Sequence, residues 1–194
     1  QRKHRHSSPR LLFAAPPERD LEWNSQGVEG ASRFLNRVYR FIVTHEDILC
    51  EKCPEPVQFN ERSRELNRKT HQTIKKVTEN IEHNFHFNTA VSAMMELFNV
   101  LSSTGSGDDK IPMETAVIQE AVTNLLILLS PMVPHFAAEM WEASGHIGFV
   151  EDQVWPEYDT EAAKEEMLTI VVQVMGKVRS RLQVPADTSN ETLV

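Results

Sequence analysis

Cys50 and Cys53 stand three residues apart, and His83 and His86 follow about thirty residues later. These are four side chains of the types that hold zinc. The gap between the two pairs is longer than in a zinc finger, the loop has no glycine to make a knuckle, and Pro54 follows Cys53 directly. Two free thiols in a surface loop and two histidines at a helix end account for the same residues, so no metal ligand is assigned. A redox role for the CxxC lacks the βαβ pattern that would frame it. His135 sits between Pro134 and Phe136 in an apolar run and reads as a hydrogen-bonded core histidine rather than a base. No Gly-rich phosphate loop, GxSxG or HExxH occurs. The glutamates of residues 139–166 have no basic or aromatic frame and read as a solvated face, so no catalytic residue is assigned.

The basic residues carry more. Arg33, Arg37 and Arg40 fall together on one flank of a helical pattern, and Arg62, Lys69 and Lys76 recur every seven residues on another. Arg64, Arg68 and Lys75 form a further stripe on the far side of that second pattern. Repeated cationic side chains on helices that a short connection would pack antiparallel are what a phosphate backbone requires, because each contact releases condensed counterions. The ordinary polar side of a bundle, with Glu61 and Glu65 partly neutralising it, explains the same spacing. The spacing leaves both readings open.

The charge balance bears on that choice. The 194 residues carry 20 Lys+Arg and 28 Asp+Glu, a formal charge of -8. An acidic average disfavours a polyanion partner. However, residues 84–166 hold 14 of the 28 acidic and 2 of the 20 basic groups, so the remainder of the chain is basic. The acidic segment is expected to face away from any polyanion. Two cysteines are too few for a disulfide scaffold, which makes a reducing cytoplasm the simplest setting. Residues 125–140 are too short and too interrupted by Pro131 and Pro134 to span a bilayer, so no membrane partner is expected.

The elements that must position these side chains are mainly helical. Val28, Ala31, Leu35, Val38 and Ile42, with Phe34 and Phe41 beside them, predict a helix over 26–44. Leu66, Ile74, Val77 and Ile81, with Thr70 in the gap, predict a second over 60–83. Asn88 is placed to cap a third over 89–101. Pro112 suits the first turn of a fourth that ends near Leu129, and 132–143 reads as a short fifth, stopped by Gly145 and Gly148. Period-two alternation over 168–178 predicts a strand, with Gly176 turning into a second near 178–184. The fold class is mainly α, an antiparallel helical bundle with a short C-terminal β-hairpin or strand. Residues 1–20 are expected to be a flexible arm or linker, 21–160 the bundle, and 161–194 the start of a small α/β unit too short to hold its own core.

The segments LLFAAPPERDLEWNSQGVEGASRFLNRVYRFI (11–42), RKTHQTIKKVTENIEHNFHFNTAVSAMMELFNVL (68–101), ETAVIQEAVTNLLILLSPMVPHFAAEMWE (114–142), VWPEYD (154–159) and VVQVMGKVRSRLQVPAD (171–187) resemble, in that order, the C-terminal part of bacterial-type leucyl-tRNA synthetase. The resemblance implies a class I anticodon-binding bundle that grips the tRNA body on its backbone side rather than reading anticodon bases. It also implies that 161–194 begins the small domain that meets the tRNA corner. Neither the His-Ile-Gly-His motif nor KMSKS is present, and Gly145, His146, Ile147 and Gly148 echo the former only by chance. The full enzyme would use ATP and Mg to leucylate its tRNA; this stretch is expected to hold no cofactor and to be inactive alone. Met175 stands where the family has Asn and Ser180 where it has Gly, which alters the expected hairpin turn.

The expected tRNA contacts, to phosphate or sugar, are Arg33, Arg37, Arg40, Arg68, Lys69, Lys75 and Lys76, with Lys177, Arg179 and Arg181 as a second patch. The expected partners are leucine tRNA and the enzyme's own catalytic domain. The fragment is expected to be a monomer, or a dimer paired through the 168–178 strand. The competing reading is a structural bundle that braces the catalytic core.

Overall fold

The computed structural model describes residues 25–50, 60–84, 86–104, 112–164, 167–174 and 177–185. The expected N-terminal arm, Cys53 and its loop, most of the turn before Pro112, and Met175 with Gly176 lie outside the described residues. The elements are α1 (Ser25–Thr44), α2 (Glu46–Leu49), α3 (Glu61–Glu79), a π turn (Asn80–Asn84), α4 (Phe87–Thr104), α5 (Pro112–Leu129), α6 (Pro134–Ala143), a 3-10 turn (Val150–Asp152), and strands β1 (Met167–Val174) and β2 (Lys177–Pro185). Among the described residues no helix is long and apolar enough to cross a membrane.

The apolar face of α1 buries Ala31, Phe34, Val38, Phe41 and Ile42, while Leu35 is only half-buried. The face is turned toward the two phenylalanines because each meets Phe98 of α4 edge to face at 5.9 Å. Such ring pairs add about 0.5–1.5 kcal/mol beyond the area they bury.

Helix α3 starts at an Asn60 cap whose Oδ1 accepts from Ser63 N at 2.8 Å. Its buried side carries Thr70 and Thr73 among Leu66, Ile74 and Val77. The two hydroxyls donate to Leu66 O at 2.9 Å and Lys69 O at 2.8 Å, so neither enters the core unpaired. The expected run to His83 loosens into the π turn after Glu79, closed where His86 N donates to Asn80 O at 3.1 Å.

The third predicted helix starts earlier than its sequence implied. The His86 carbonyl accepts from Thr89 N at 3.0 Å and Ala90 N at 3.1 Å, so α4 begins at Phe87 and Asn88 lies inside its first turn. Asn88 is therefore not a cap: its Oδ1 is buried with no hydrogen-bond partner among the described residues.

Helix α5 is apolar on nearly every side, burying Val117, Ile118, Ala121, Val122 and the whole run 125–129. A helix of that kind belongs in the middle. It packs against α2, α3, α4 and α6, while Gln119 Nε2 donates to Ile48 O at 2.6 Å and ties α2 to it.

The two basic helices are not each other's main packing partners, contrary to the antiparallel pair their order suggested. Helix α1 packs on α2, α4 and α6, and α3 packs on α4 and α5, so α4 stands between them. Helix α4 can serve both because its buried residues, Ala90, Val91, Ala93, Met94, Leu97, Phe98 and Leu101, cover more than one narrow stripe.

After α6 the chain stops in a Schellman motif. His146 N donates to Trp141 O at 3.2 Å and Gly145 N to Glu142 O at 3.0 Å, with Gly145 at φ +81°. Residues 155–164 then run as a strap over the outer side of α3. Trp155 Nε1 donates to Thr78 Oγ1 at 2.8 Å, Asp159 N to His71 Nδ1 at 3.2 Å, and Gln72 Nε2 to Ala163 O at 2.9 Å. Beyond the strap, β1 and β2 pair antiparallel from Met167 opposite Pro185 to Val174 opposite Lys177. The pairing steps from Val172–Ser180 to Gln173–Val178, which makes Arg179 the extra residue of a bulge.

Candidate nucleic-acid interface

The outward side of α4 carries Glu96 and Asn99, exposed and one turn apart. A cation reaches each of them from a different neighbour. Arg37 of α1 donates from Nη2 to Asn99 Oδ1 at 3.0 Å, and its guanidinium carbon lies 5.0 Å from the centre of the Phe98 ring. Lys69 of α3 places Nζ 2.8 Å from Glu96 Oε2. The three helices thus form one surface, with α4 as its middle rib.

Arg37 and Lys69 are held differently. The Arg37 guanidinium is laid against a ring and, among the described residues, fixed through one of its five N–H donors. A cation held in this way loses less freedom on meeting a phosphate. Lys69 is committed to a carboxylate. The Lys69 hydrogen bond is the main cause that holds the Glu96 carboxyl below its ordinary value; burial opposes it, and the charges of Lys69 and Lys76 assist.

The other expected contacts divide among three places. Arg33 and Arg40 are exposed on α1, and Lys76 is exposed two turns beyond Lys69. Arg68, half-buried, and Lys75, exposed, share another flank of α3, where Lys75 Nζ lies 5.8 Å from the centre of the Tyr158 ring in the strap. Lys177, Arg179 and Arg181 belong to β2, and their side chains lie outside the described residues. The geometry therefore brings Arg37, Lys69 and Lys76 to one polar surface around Glu96 and Asn99, and sets Arg68 and Lys75 beside the strap. The part of the acidic segment that forms the strap does not face away from the basic helices; it lies along α3.

Sequence reasoning missed Glu96, Asn99 and Tyr158. The signal for the first two was present: Ser92, Glu96, Asn99 and Ser103 recur at three- and four-residue steps as the polar side of α4. Nothing in the sequence marked where the strap would lie.

Cys50 stands against Gly145, and Cys53 lies outside the described residues. Among the described residues no three His, Cys, Asp or Glu side chains gather as a metal site. His135 is exposed near the start of α6, not in the core, because Ala137, Met140 and Trp141 take the inward side. His146 does pack: its ring stacks on Trp141 at 3.9 Å, with Nε2 2.8 Å from Thr123 Oγ1 and Nδ1 2.9 Å from Ser144 Oγ. Burial pushes its pKa down, opposed by a backbone hydrogen bond at Trp141. The Gly-His-Ile-Gly stretch is a helix stop.

The described residues form a helical bundle that presents a cation-bearing polar surface. The chain belongs to the family of anticodon-binding domains of tRNA ligases, which it matches over residues 63–194. It is 56% identical over 183 residues to a leucine-tRNA ligase of Desulfotalea psychrophila, an alignment covering 94% of this chain and 22% of that protein. To a leucine-tRNA ligase of Geobacter sp. strain M21 it is 45% identical over 181 residues, covering 93% of this chain and 22% of that one. The chain therefore spans about a fifth of the length of these curated relatives. Among solved structures it is similar to the Agrobacterium radiobacter K84 agnB2 LeuRS, crystallised as a ternary complex with tRNA and LeuAMS. The TM-score is 0.75 and the identity 29%, over 96% of this chain and 23% of that one.

Proposed function

We propose that this chain is the tRNA-gripping unit of a leucine-tRNA ligase, and that ATP-dependent leucylation is performed by other parts of such an enzyme. The observation that carries the reading is the likeness, over 96% of the chain, to a LeuRS solved with tRNA bound. The polar surface on α1, α4 and α3 supports it. Arg33, Arg37, Arg40, Lys69 and Lys76 meet phosphates or sugars of leucine tRNA there, Arg68 and Lys75 extend the contact along α3, and Lys177, Arg179 and Arg181 supply a second patch. Phosphate contacts of this kind position the RNA and read no base.

The test is tRNA binding as a function of salt. Affinity should fall linearly on a log–log plot, and reversing Arg37 and Arg40 together to glutamate should shallow the slope by about 0.7–0.9 for each phosphate left without its cation. Binding that ignores both salt and these charges would sink the proposal.

A second reading, that the bundle braces the catalytic part of the enzyme, draws on one observation. Ile147, Phe149 and Val154 are 94%, 69% and 86% exposed on the segment after α6, an apolar group in search of a cover. Light scattering alongside a tRNA gel shift separates the two: association of copies with no shifted tRNA favours bracing.

A further inference from the structure

Between α3 and the strap lies an open cleft of about 420 Å³, lined by Gln72, Lys75, Lys76 and Glu79 from the helix and by Thr160 and Lys164 from the strap. The bond from Gln72 Nε2 to Ala163 O fixes the spacing of its walls, and the Lys75 ammonium lies over the strap's Tyr158 ring. Lys164, the third lysine, has Nζ 2.7 Å from both carboxylate oxygens of Glu161. That pair is 66% and 74% exposed, and ion pairs this open to water hold weakly.

We propose that this cleft seats one phosphodiester of the bound tRNA, with Lys75, Lys76 and Lys164 around it and Glu161 as the internal anion that the phosphate displaces. The inference rests on the tRNA-binding reading and adds to it a subsite and a residue, Lys164, that the basic stripes did not include. The open outer side lets a polymer enter and leave. Position argues the same way. Lys76 belongs to both the cleft and the stripe that reaches Lys69 beside Glu96, while Lys164 stands three residues before β1.

The experiment is leucine tRNA binding to the 194-residue chain between 50 and 200 mM salt, for wild type, Lys164→Gln and Glu161→Gln, with circular dichroism to confirm that each is folded. Lys164→Gln should shallow the log–log slope by about 0.7–0.9, so that the fall in affinity across that salt range shrinks about threefold. Glu161→Gln should act in the opposite direction and tighten binding at 50 mM salt, because it removes the competitor. Inorganic phosphate titrated at constant ionic strength should leave tRNA bound. A Lys164→Gln slope equal to wild type, while the Arg37 and Arg40 reversal still has its effect, overturns the cleft and leaves the tRNA reading intact. Loss of tRNA binding by the wild type would instead remove that reading. Displacement of tRNA by inorganic phosphate from wild type but not from Lys164→Gln would make the cleft a free-phosphate pocket and overturn the assignment.

Discussion

Replacing Gly145 with alanine should cost more than the same change at Gly148, although both glycines hold positive φ, +81° and +83°. The backbone cost is common to the two. An L-residue held in the left-handed region is disfavoured by about 1–2 kcal/mol. What differs is the space. A Cβ at Gly148 meets nothing within 4 Å, whereas one at Gly145 comes 2.7 Å from Cys50 Sγ and 3.2 Å from Cys50 Cα. The sulfur can swing aside, but the Cα cannot, so relief requires the end of α2 to move away from the end of α6. Crowding of that kind adds about 1–3 kcal/mol. Gly148→Ala should therefore lose about 1–2 kcal/mol and Gly145→Ala about 2–5 kcal/mol. Thermal unfolding of both variants reads the difference, since 1 kcal/mol moves the midpoint about 2–4 °C in a domain of this size. A Cys50→Ala background should return part of the Gly145→Ala loss and none of the Gly148→Ala loss. Equal midpoints for the two glycine variants, or no coupling to Cys50, would refute the packing argument.

Two further outcomes concern charge. The His146 pKa is pushed below the ordinary 6.5 by burial, so the unfolded chain takes up its proton first. His146 therefore contributes its full stability above pH 6.5 and loses it as pH falls from there through the folded value. Urea unfolding of wild type against His146→Gln should show a gap that narrows from pH 7.5 to pH 5; a gap that ignores pH would contradict the buried-ring account. The Glu96 carboxyl is held below 4.5, chiefly by the Lys69 hydrogen bond, so this contribution is present above 4.5 and disappears as pH falls through the folded value. With side chains 25% and 51% exposed, the pair is a surface one, and Lys69→Met should cost less than about 1 kcal/mol near neutral pH. That cost should vanish toward pH 3, and a loss that persists in acid would show that Lys69 acts through packing of its stem.

The helices were legible in the sequence because each must bury a stripe, and a stripe leaves a period that can be counted. Thr70 in the gap of the α3 stripe was readable for the same reason. What failed was local polar bookkeeping and adjacency. Asn88 has the right chemistry for a cap, but His86 already supplied the carbonyl that starts α4, and a period cannot tell which of two neighbouring residues does so. The pairing of α1 with α3 failed because closeness in sequence stood in for closeness in space. Leu97 and Phe98 are adjacent on α4 and both buried, and a helix buried around that much of its circumference separates the helices on either side of it.

The charge partition was the hardest feature to place, since counting signs along a chain says nothing of where a connector will fold. Residues 84–166 are acidic as counted, yet two of their carboxylates sit against lysines: Glu96 on Lys69 and Glu161 on Lys164. Lysines gathered on α3 and the strap beside it repel one another, and a carboxylate beside Lys69 and another beside Lys164 offset part of that repulsion while no RNA is bound. On the proposed reading, RNA exchanges partners with such lysines rather than meeting bare charge, and each exchange leaves a carboxylate behind to oppose it. The stronger grip should then come from cations whose partners carry no charge, Arg37 on Asn99 and the Phe98 ring and Lys75 on the Tyr158 ring. A formal charge of -8 and an RNA-binding surface are compatible on these terms, because among the described residues the ion pairs of the acidic groups are with Lys69 and Lys164 and not with the arginines of α1.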